Sequence, residues 1–354
     1  MSSETVVLRA LGLGDLLTVV PALRGLRRRY PAHRQFVTCA PWLTSLARYL
    51  GLGDEWITEA VDYRSNGQGL PGRKALETAQ LDRLLGPGPR PALGLNLRGT
   101  RTPLHTAVLA LRPRRYIAFH DPEVPQTTGY PVWDPAEHEV LSWCRLLREF
   151  DVPCDPADLF FTAPRFATGP RSAGRRPSPD DRPADRPSGR SARLPAVVHP
   201  GAGRPARHWP ADRWADVVHG LAARGYDVLV SCAWHEADRA RLVVESADGG
   251  TVLRFQDDDI LSLVDTIAGA ALLISVDTGV PHLANALRVP SVVLFGPSSP
   301  ARWGPPPAEA ATHACLWAGR TGDPDGEDLD PGLAEITAEQ VLGEVDRFRR
   351  EGIA

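Results

Sequence analysis

Four short segments of this chain set side chains capable of chemistry beside glycines that let a ligand come close. Gly12-Leu13-Gly14-Asp15 places two glycines and a carboxylate between an apolar run and an amphipathic helical pattern. An aspartate there can cap the helix or take a proton from a bound hydroxyl, and the spacing leaves both open. The second segment runs His199-Pro200-Gly201-Ala202-Gly203-Arg204-Pro205-Ala206-Arg207-His208-Trp209-Pro210 and crowds Arg204, Arg207 and His208 into a glycine-rich turn. Guanidinium forks and backbone amides in such a turn suit a phosphate. The third, Asp277-Thr278-Gly279-Val280-Pro281-His282, offers an acceptor, a hydroxyl, close approach at Gly279 and an imidazole one position inside the helix that follows. The fourth, Phe295-Gly296-Pro297-Ser298-Ser299-Pro300, reads as a turn of small residues without assigned chemistry.

Other chemistries fit less well. A dinucleotide fingerprint needs Gly or Ala at position 17, where the chain has Leu17. Gly201, Gly203 and Ala206 do satisfy G-x-G-x-x-A, which keeps an NAD-dependent oxidoreductase as an alternative, but Pro205 and a helix delayed to Pro210 oppose that geometry. The four segments hold no ordered His/Asp/Glu set, so no metal is expected. Cys39, Cys144, Cys154, Cys232 and Cys315 are scattered without a C-x-x-C pair and read as reduced thiols. With 40 basic against 43 acidic residues and a net charge of -3, no field of one sign exists to hold a nucleic-acid backbone.

The elements that must position these segments follow from periodicity. In the first half, apolar runs at 6–11, 35–39, 93–97 and 116–119 predict strands, and helical patterns cover 16–29, 75–85, 103–111 and 137–150. In the second half, strands are expected at 196–199, 227–231, 251–254, 272–276 and 291–295, with helices at 211–224, 236–246, 260–270 and 281–286. Such alternation predicts an α/β fold with two Rossmann-like domains, whose parallel sheets face a central cleft and bind ligands at the carboxyl ends of their strands. Residues 165–195 hold eight Arg, six Pro, three Gly and four Ser and predict a flexible linker between a domain at 1–164 and another at 196–335. A last helix near 337–350 opens with a Thr337/Gln340 capping box and is expected to pack back on the first domain. The N-terminus lacks the charge order of a secretory signal, and no run reaches membrane-span length. These features predict a cytoplasmic protein, free to touch the inner membrane face.

The four segments, in this order, closely resemble glycosyltransferase family 9, the bacterial heptosyltransferases of lipopolysaccharide inner core. The resemblance covers residues 8–304 apart from the linker. It implies a GT-B fold with an acceptor-binding first domain, a donor-binding second domain, and sugar transfer with inversion and without a metal or cofactor. Asp15 is similar to the family's general base, with Gly14 beside it, and Arg207 stands where the family usually has Lys on the donor diphosphate. In a chain whose only lysine is Lys74, arginine is what composition supplies, and its fork can bind two phosphate oxygens. Gly201, Arg204, Asp277, Thr278, Gly279 and His282 are implied around the donor, and Glu236 at its ribose, unless Glu236 is only a helix N-terminal charge. Arg98 and Arg101, at a strand end, are candidates for an acidic acceptor. The resemblance suggests ADP-heptose as donor and a glycan, lipid-linked or small natural-product acceptor. A noncatalytic nucleotide-sugar-binding protein is the remaining alternative.

Overall fold

The computed structural model describes residues 3–10, 12–58, 90–100, 102–163, 195–247, 251–255 and 260–354. Val6, Val7 and Leu8 are buried on both faces of the sheet, as a central parallel strand requires, and they form the middle of β1 (Glu4–Ala10). Beside it lie β2 (Arg34–Cys39), β3 (Glu55–Thr58), β4 (Leu93–Asn96) and β5 (Arg115–Ile117), in the all-parallel order β3-β2-β1-β4-β5. The second sheet contains β6 (Ala196–His199), β7 (Val228–Ala233), β8 (Thr251–Phe255), β9 (Leu272–Val276), β10 (Ser291–Phe295) and β11 (His313–Trp317). Its order is β11-β10-β9-β6-β7-β8, again all parallel.

In each sheet the chain starts at the centre, grows to one side and then returns to the other. Strand direction of growth therefore reverses between β1 and β4, and between β6 and β9. A crevice opens at the carboxyl end of such a switch point because the connections on either side depart in opposite directions. The Gly12–Asp15 turn follows β1, the glycine-rich turn follows β6 and the Asp277 turn follows β9, so all three candidate turns border a switch point.

The helices are α1 (Leu13–Arg29), α2 (Thr44–Tyr49), α3 (Thr102–Ala110), α4 (Glu139–Glu149), α5 (Ala211–Ala223), α6 (Ala237–Ser246), α7 (Ile260–Ala268), α8 (Gly279–Ala286), α9 (Pro300–Trp303), α10 (Pro331–Glu335) and α11 (Ala338–Arg350). Leu13, Leu16, Leu17, Val20 and Leu23 line the buried face of α1, and Arg27, Arg28 and Arg29 end it where the helix dipole favours cations. The core beneath α1 continues without a break through Leu263, Val264 and Ile267 of α7 and Leu283 and Ala284 of α8. The two sheets therefore share one apolar seam. At its edge α1 and α8 meet glycine to glycine: a Cβ on Gly279 would stand 2.6 Å from Leu13 Cβ and 3.1 Å from Gly14 N.

Several expectations need revision. Strands β3 and β11 add to the expected set: β3, with Glu55 and Thr58 at its ends, shows no apolar run, whereas β11 does carry one in Ala314, Cys315, Leu316 and Trp317. Helix α8 begins two residues early, since Pro281 is tolerated in a first turn whose N–H groups lack intrahelical partners. The capping box forms, with Thr337 Oγ1 accepting from Gln340 N at 3.3 Å and Gln340 Oε1 from Thr337 N at 2.8 Å. Yet α11 packs on the second sheet's own layer, where Val341, Val345 and Phe348 join Trp214 and Val218 of α5 and Arg224 pairs with Asp346. It does not return to the first domain, because α5 already offers the apolar stripe it needs. The 75–85 helix and residues 165–194 of the expected linker lie outside the described residues. Among the described residues no helix is long and apolar enough to cross a membrane.

Two glycine substitutions separate the seam from ordinary helix propensity. Gly279→Ala must push α1 and α8 apart and should cost about 1–3 kcal/mol. Gly343→Ala, in α11 with open space at its Cβ, should stabilise by about 0.5–1 kcal/mol. Urea midpoints of the two variants should therefore move in opposite directions.

Candidate active site

The structure makes Asp15 the third residue of α1 and gives it half of a cap: Oδ2 accepts from Gly12 N at 3.1 Å. Its other oxygen, Oδ1, lies 3.6 Å from Arg9 Nη2, and the side chain is 34% exposed, open enough to meet an acceptor hydroxyl. Capping and proton transfer are thus compatible, since they use different oxygens. Gly14 is required for packing: a Cβ there would come within 2.9 Å of His282 Cδ2.

His282 does not join Asp277 and Thr278. It turns across the seam toward Gly14, with Trp303 edge-on at 6.1 Å. Burial, reinforced by His138 and opposed by Asp15, lowers its pKa to about 4, so it is neutral at neutral pH. A cavity of about 10 Å³, room for one water, lies beside it between Thr18, His138 and Asn285. Asn285 Oδ1 is buried there without a protein partner.

Across the second switch point, Arg207 ties the glycine-rich turn to the Asp277 turn: Nη1 donates to the Asp277 carbonyl at 3.0 Å. Its Nε is buried without a partner, as is Thr278 Oγ1 at the N-cap of α8. Such orphaned polar atoms are costly and mark where a ligand can complete the bonding. The first N–H groups of α8 add the positive end of a helix dipole. Asp277 is buried, and burial raises its carboxyl to about 6 against the opposing effects of Arg207 and a Ser298 hydrogen bond.

The other candidates fall differently. Arg204 is engaged with Asp325 at 3.3 Å on the loop after β11. Glu236 accepts from Ala233 N at 2.9 Å, and its carboxylate fills the space where Gly201 lacks a side chain; a Cβ there would lie 2.2 Å from Oε2. A pyrophosphate could not approach Gly201 over that carboxylate, which removes the basis for a dinucleotide site. His208 accepts at Nδ1 from Arg239 at 2.8 Å and donates from Nε2 to the Ala202 carbonyl at 2.9 Å, the bonding of a neutral imidazole. Consistently, burial lowers its pKa. Arg98 follows β4 in a turn closed by its N–H to Asn96 Oδ1 at 3.0 Å, and Arg101 lies outside the described residues. Among the described residues no group of three His, Cys, Asp or Glu side chains could hold a metal ion. A larger cavity, about 690 Å³ around residues 160–163 and Arg288, sits at the far end of α8 and holds none of these residues.

Sequence reasoning missed the charges behind Asp15. Arg9 is 3% exposed inside β1, and Glu139 begins α4 at 5%. A charge within an otherwise apolar central strand is the signal that could have found them, because it must be paired when buried.

The sequence profile described as Glycosyltransferase family 9 (heptosyltransferase) matches residues 134–325, more than half of the chain. The chain belongs to glycosyltransferase family 9. Asp15 lies outside the matched stretch, which takes in the turns after β6 and β9. This family 9 chain is 33% identical over 100 residues to lipopolysaccharide heptosyltransferase 1 of Escherichia coli K12, an alignment covering 27% of the chain and 30% of that relative. It is 32% identical over 150 residues to lipopolysaccharide heptosyltransferase 2 of the same strain, covering 40% and 42%. The alignments thus span less than half of either relative. Among solved structures, a family 9 glycosyl transferase from Veillonella parvula DSM 2008 superposes with a TM-score of 0.72 at 18% identity, covering 99% of this chain and 98% of that one. An E. coli heptosyltransferase solved with ADP gives 0.65 at 18%, covering 97% and 99%. Such likeness establishes the fold, which is GT-B.

The raised folded-state carboxyl of Asp277 makes its contribution to stability fullest below pH 4 and lost as pH rises through about 6. Asp277→Asn, which cannot ionise, should therefore be more stable than the parent at pH 8, by up to about 3 kcal/mol, and gain nothing at pH 4. Urea unfolding at the two pH values checks this.

Proposed function

We propose that this family 9 chain transfers a heptose from ADP-heptose to an acceptor hydroxyl, with inversion at the anomeric carbon and without help from a metal. The observation that carries the reading is the juxtaposition at the seam. Gly14 lies against Gly279, so the turn that carries Asp15 meets the turn that carries Thr278, to which Arg207 is tied through the Asp277 carbonyl. The aligned relatives are lipopolysaccharide heptosyltransferases, and a structural neighbour holds ADP. For this chain the donor follows from that likeness, and the acceptor class is a cell-surface glycan or its lipid-linked precursor.

Each group then has one task. The donor diphosphate lies against Arg207 Nε, Thr278 Oγ1 and the α8 amides, with the sugar toward the seam. The acceptor hydroxyl enters beside Asp15 from the first domain. As its oxygen bonds to the anomeric carbon, the bond from that carbon to the phosphate oxygen breaks and Asp15 takes the hydroxyl proton. Negative charge growing on the departing ADP is met by the guanidinium and the helix amides. Attack from the side opposite the leaving group inverts the carbon in one displacement. Holding both substrates at one seam removes much of the entropic barrier. Neutral His282, packed against Gly14, does not compete with Asp15 for charge.

Ligand-induced thermal stabilisation tests the donor site, since a ligand that binds only the folded state raises its melting temperature. ADP should stabilise the protein, Arg207→Ala should abolish the effect, and Arg207→Lys should keep most of it. Stabilisation by NADH but not ADP overturns the reading. Asp15→Asn should keep the ADP shift yet lose about 10²–10⁴-fold in heptose transfer; undiminished transfer would remove Asp15 as the base.

A further inference from the structure

The turn after β10, to which the sequence assigned no chemistry, reaches both sides of the site. Its Ser298 hydrogen-bonds Asp277, and α9 then carries Arg302 across the seam to the first domain. There Arg302 Nη2 meets Glu139 Oε2 at 3.2 Å, while Glu139 Oε1 accepts from Arg9 Nη2 at 3.2 Å and from Trp143 Nε1 at 3.1 Å. Arg9 Nη2 lies 3.6 Å from the Asp15 oxygen that takes no part in the cap. Four alternating charges thus run Arg302, Glu139, Arg9, Asp15, and only the first comes from the second domain. We propose that Glu139 is a positioning residue, which links docking of the second domain through Arg302 to the placement and charge of Asp15 through Arg9.

The surroundings leave each member little freedom. Arg9 spends its remaining donors on the carbonyls of Asp15 at 3.0 Å and Leu97 at 2.8 Å and on Thr18 Oγ1 at 2.9 Å, and its guanidinium lies 4.7 Å from the Trp143 ring. Arg302 is stacked between Trp133 at 4.7 Å and Trp303 at 5.3 Å. A second crossing bond, from His138 Nε2 to the Gly304 carbonyl at 2.9 Å, holds the end of α9 in register. Glu139 is too deeply buried to be screened by water, so its charge must be balanced locally.

The balance has a direction. Nearest to Asp15 along this chain stands Arg9 from β1, with His282 from α8 and His138 at the start of α4 close by; Glu139 lies behind Arg9, and Arg302 from α9 behind Glu139. With Arg302 in place, the two guanidinium groups share Glu139, and Arg9 retains charge for Asp15. Without Arg302, Glu139 draws Arg9 to itself and its own negative field falls on Asp15. Removing Glu139's charge has the opposite effect and leaves both cations facing Asp15. A merely structural bridge would disturb Asp15 in the same sense whichever partner was lost.

The inference rests on Asp15 as the base but is read without turnover. The full chain, labelled with carboxyl-¹³C aspartate and free of ligand, is titrated by NMR. The Asp15 signal is the one missing in Asp15→Asn. Its midpoint should move up by about half a pH unit or more in Arg302→Met, down by a similar amount in Glu139→Gln, and little in Arg302→Lys. Shifts of one sign in both charge-removing variants, or none, overturn the proposal. Should Arg302→Met fail to fold, the direction of Glu139→Gln decides alone. If instead the signal moves as expected but Asp15→Asn transfers heptose at the parent rate, the linkage stands and the role given to Asp15 falls.

Discussion

The site depends on two helix N-termini meeting where neither carries a side chain. Gly14 and Gly279 let α1 and α8 come together closely enough for the carboxylate of one sheet to face the anion-binding turn of the other. A methyl group on either would open the gap that the chemistry must close. The arrangement also concentrates partial positive charge from two helices on one spot, which suits a diphosphate and strengthens with water excluded.

Around that contact, polar groups are divided by purpose. Beside β1 the protein itself supplies the partners: Arg9 bonds through all three of its side-chain nitrogens, and Asp15 caps its own helix with one oxygen. On the second sheet, Arg207 and Thr278 keep buried atoms unpaired. The folded chain is thus preorganised around Asp15 and left incomplete around Arg207 and Thr278. Ionised Asp277 beside Arg207 adds to the instability on that second side, a cost commonly met at functional sites.

The parts of this plan that could be read from sequence were those with local signals. Alternating apolar runs revealed both parallel sheets, and glycine-rich turns at strand ends marked Asp15, Arg207 and Asp277. The unread parts depend on what comes together in space. Nothing local shows that Gly201 is small to admit Glu236, that Asp325 occupies Arg204, or that His282 points at the opposite domain. The helix period places His282 one turn beyond Thr278, but which face of α8 meets α1 is a tertiary fact. Edge strand β3 was hidden because a half-exposed strand need not be apolar; β11 had a legible apolar run in Ala314–Trp317. Glu139 and Arg302, lone charges far apart in sequence, gain meaning only when the seam joins them.

The unbroken apolar core beneath α1, α7 and α8 bears on how the enzyme works through a cycle. Two lobes joined only by a linker could swing wide apart, but here a wide swing would bare Leu16, Leu17, Val264 and Leu283 to water at roughly 25 cal/mol for each Å². Sliding of α8 along α1 keeps those residues covered, and the paired glycines provide a track without protruding side chains. Ligand entry and release are therefore accommodated by shear of packed helices, with the lobes never fully parting.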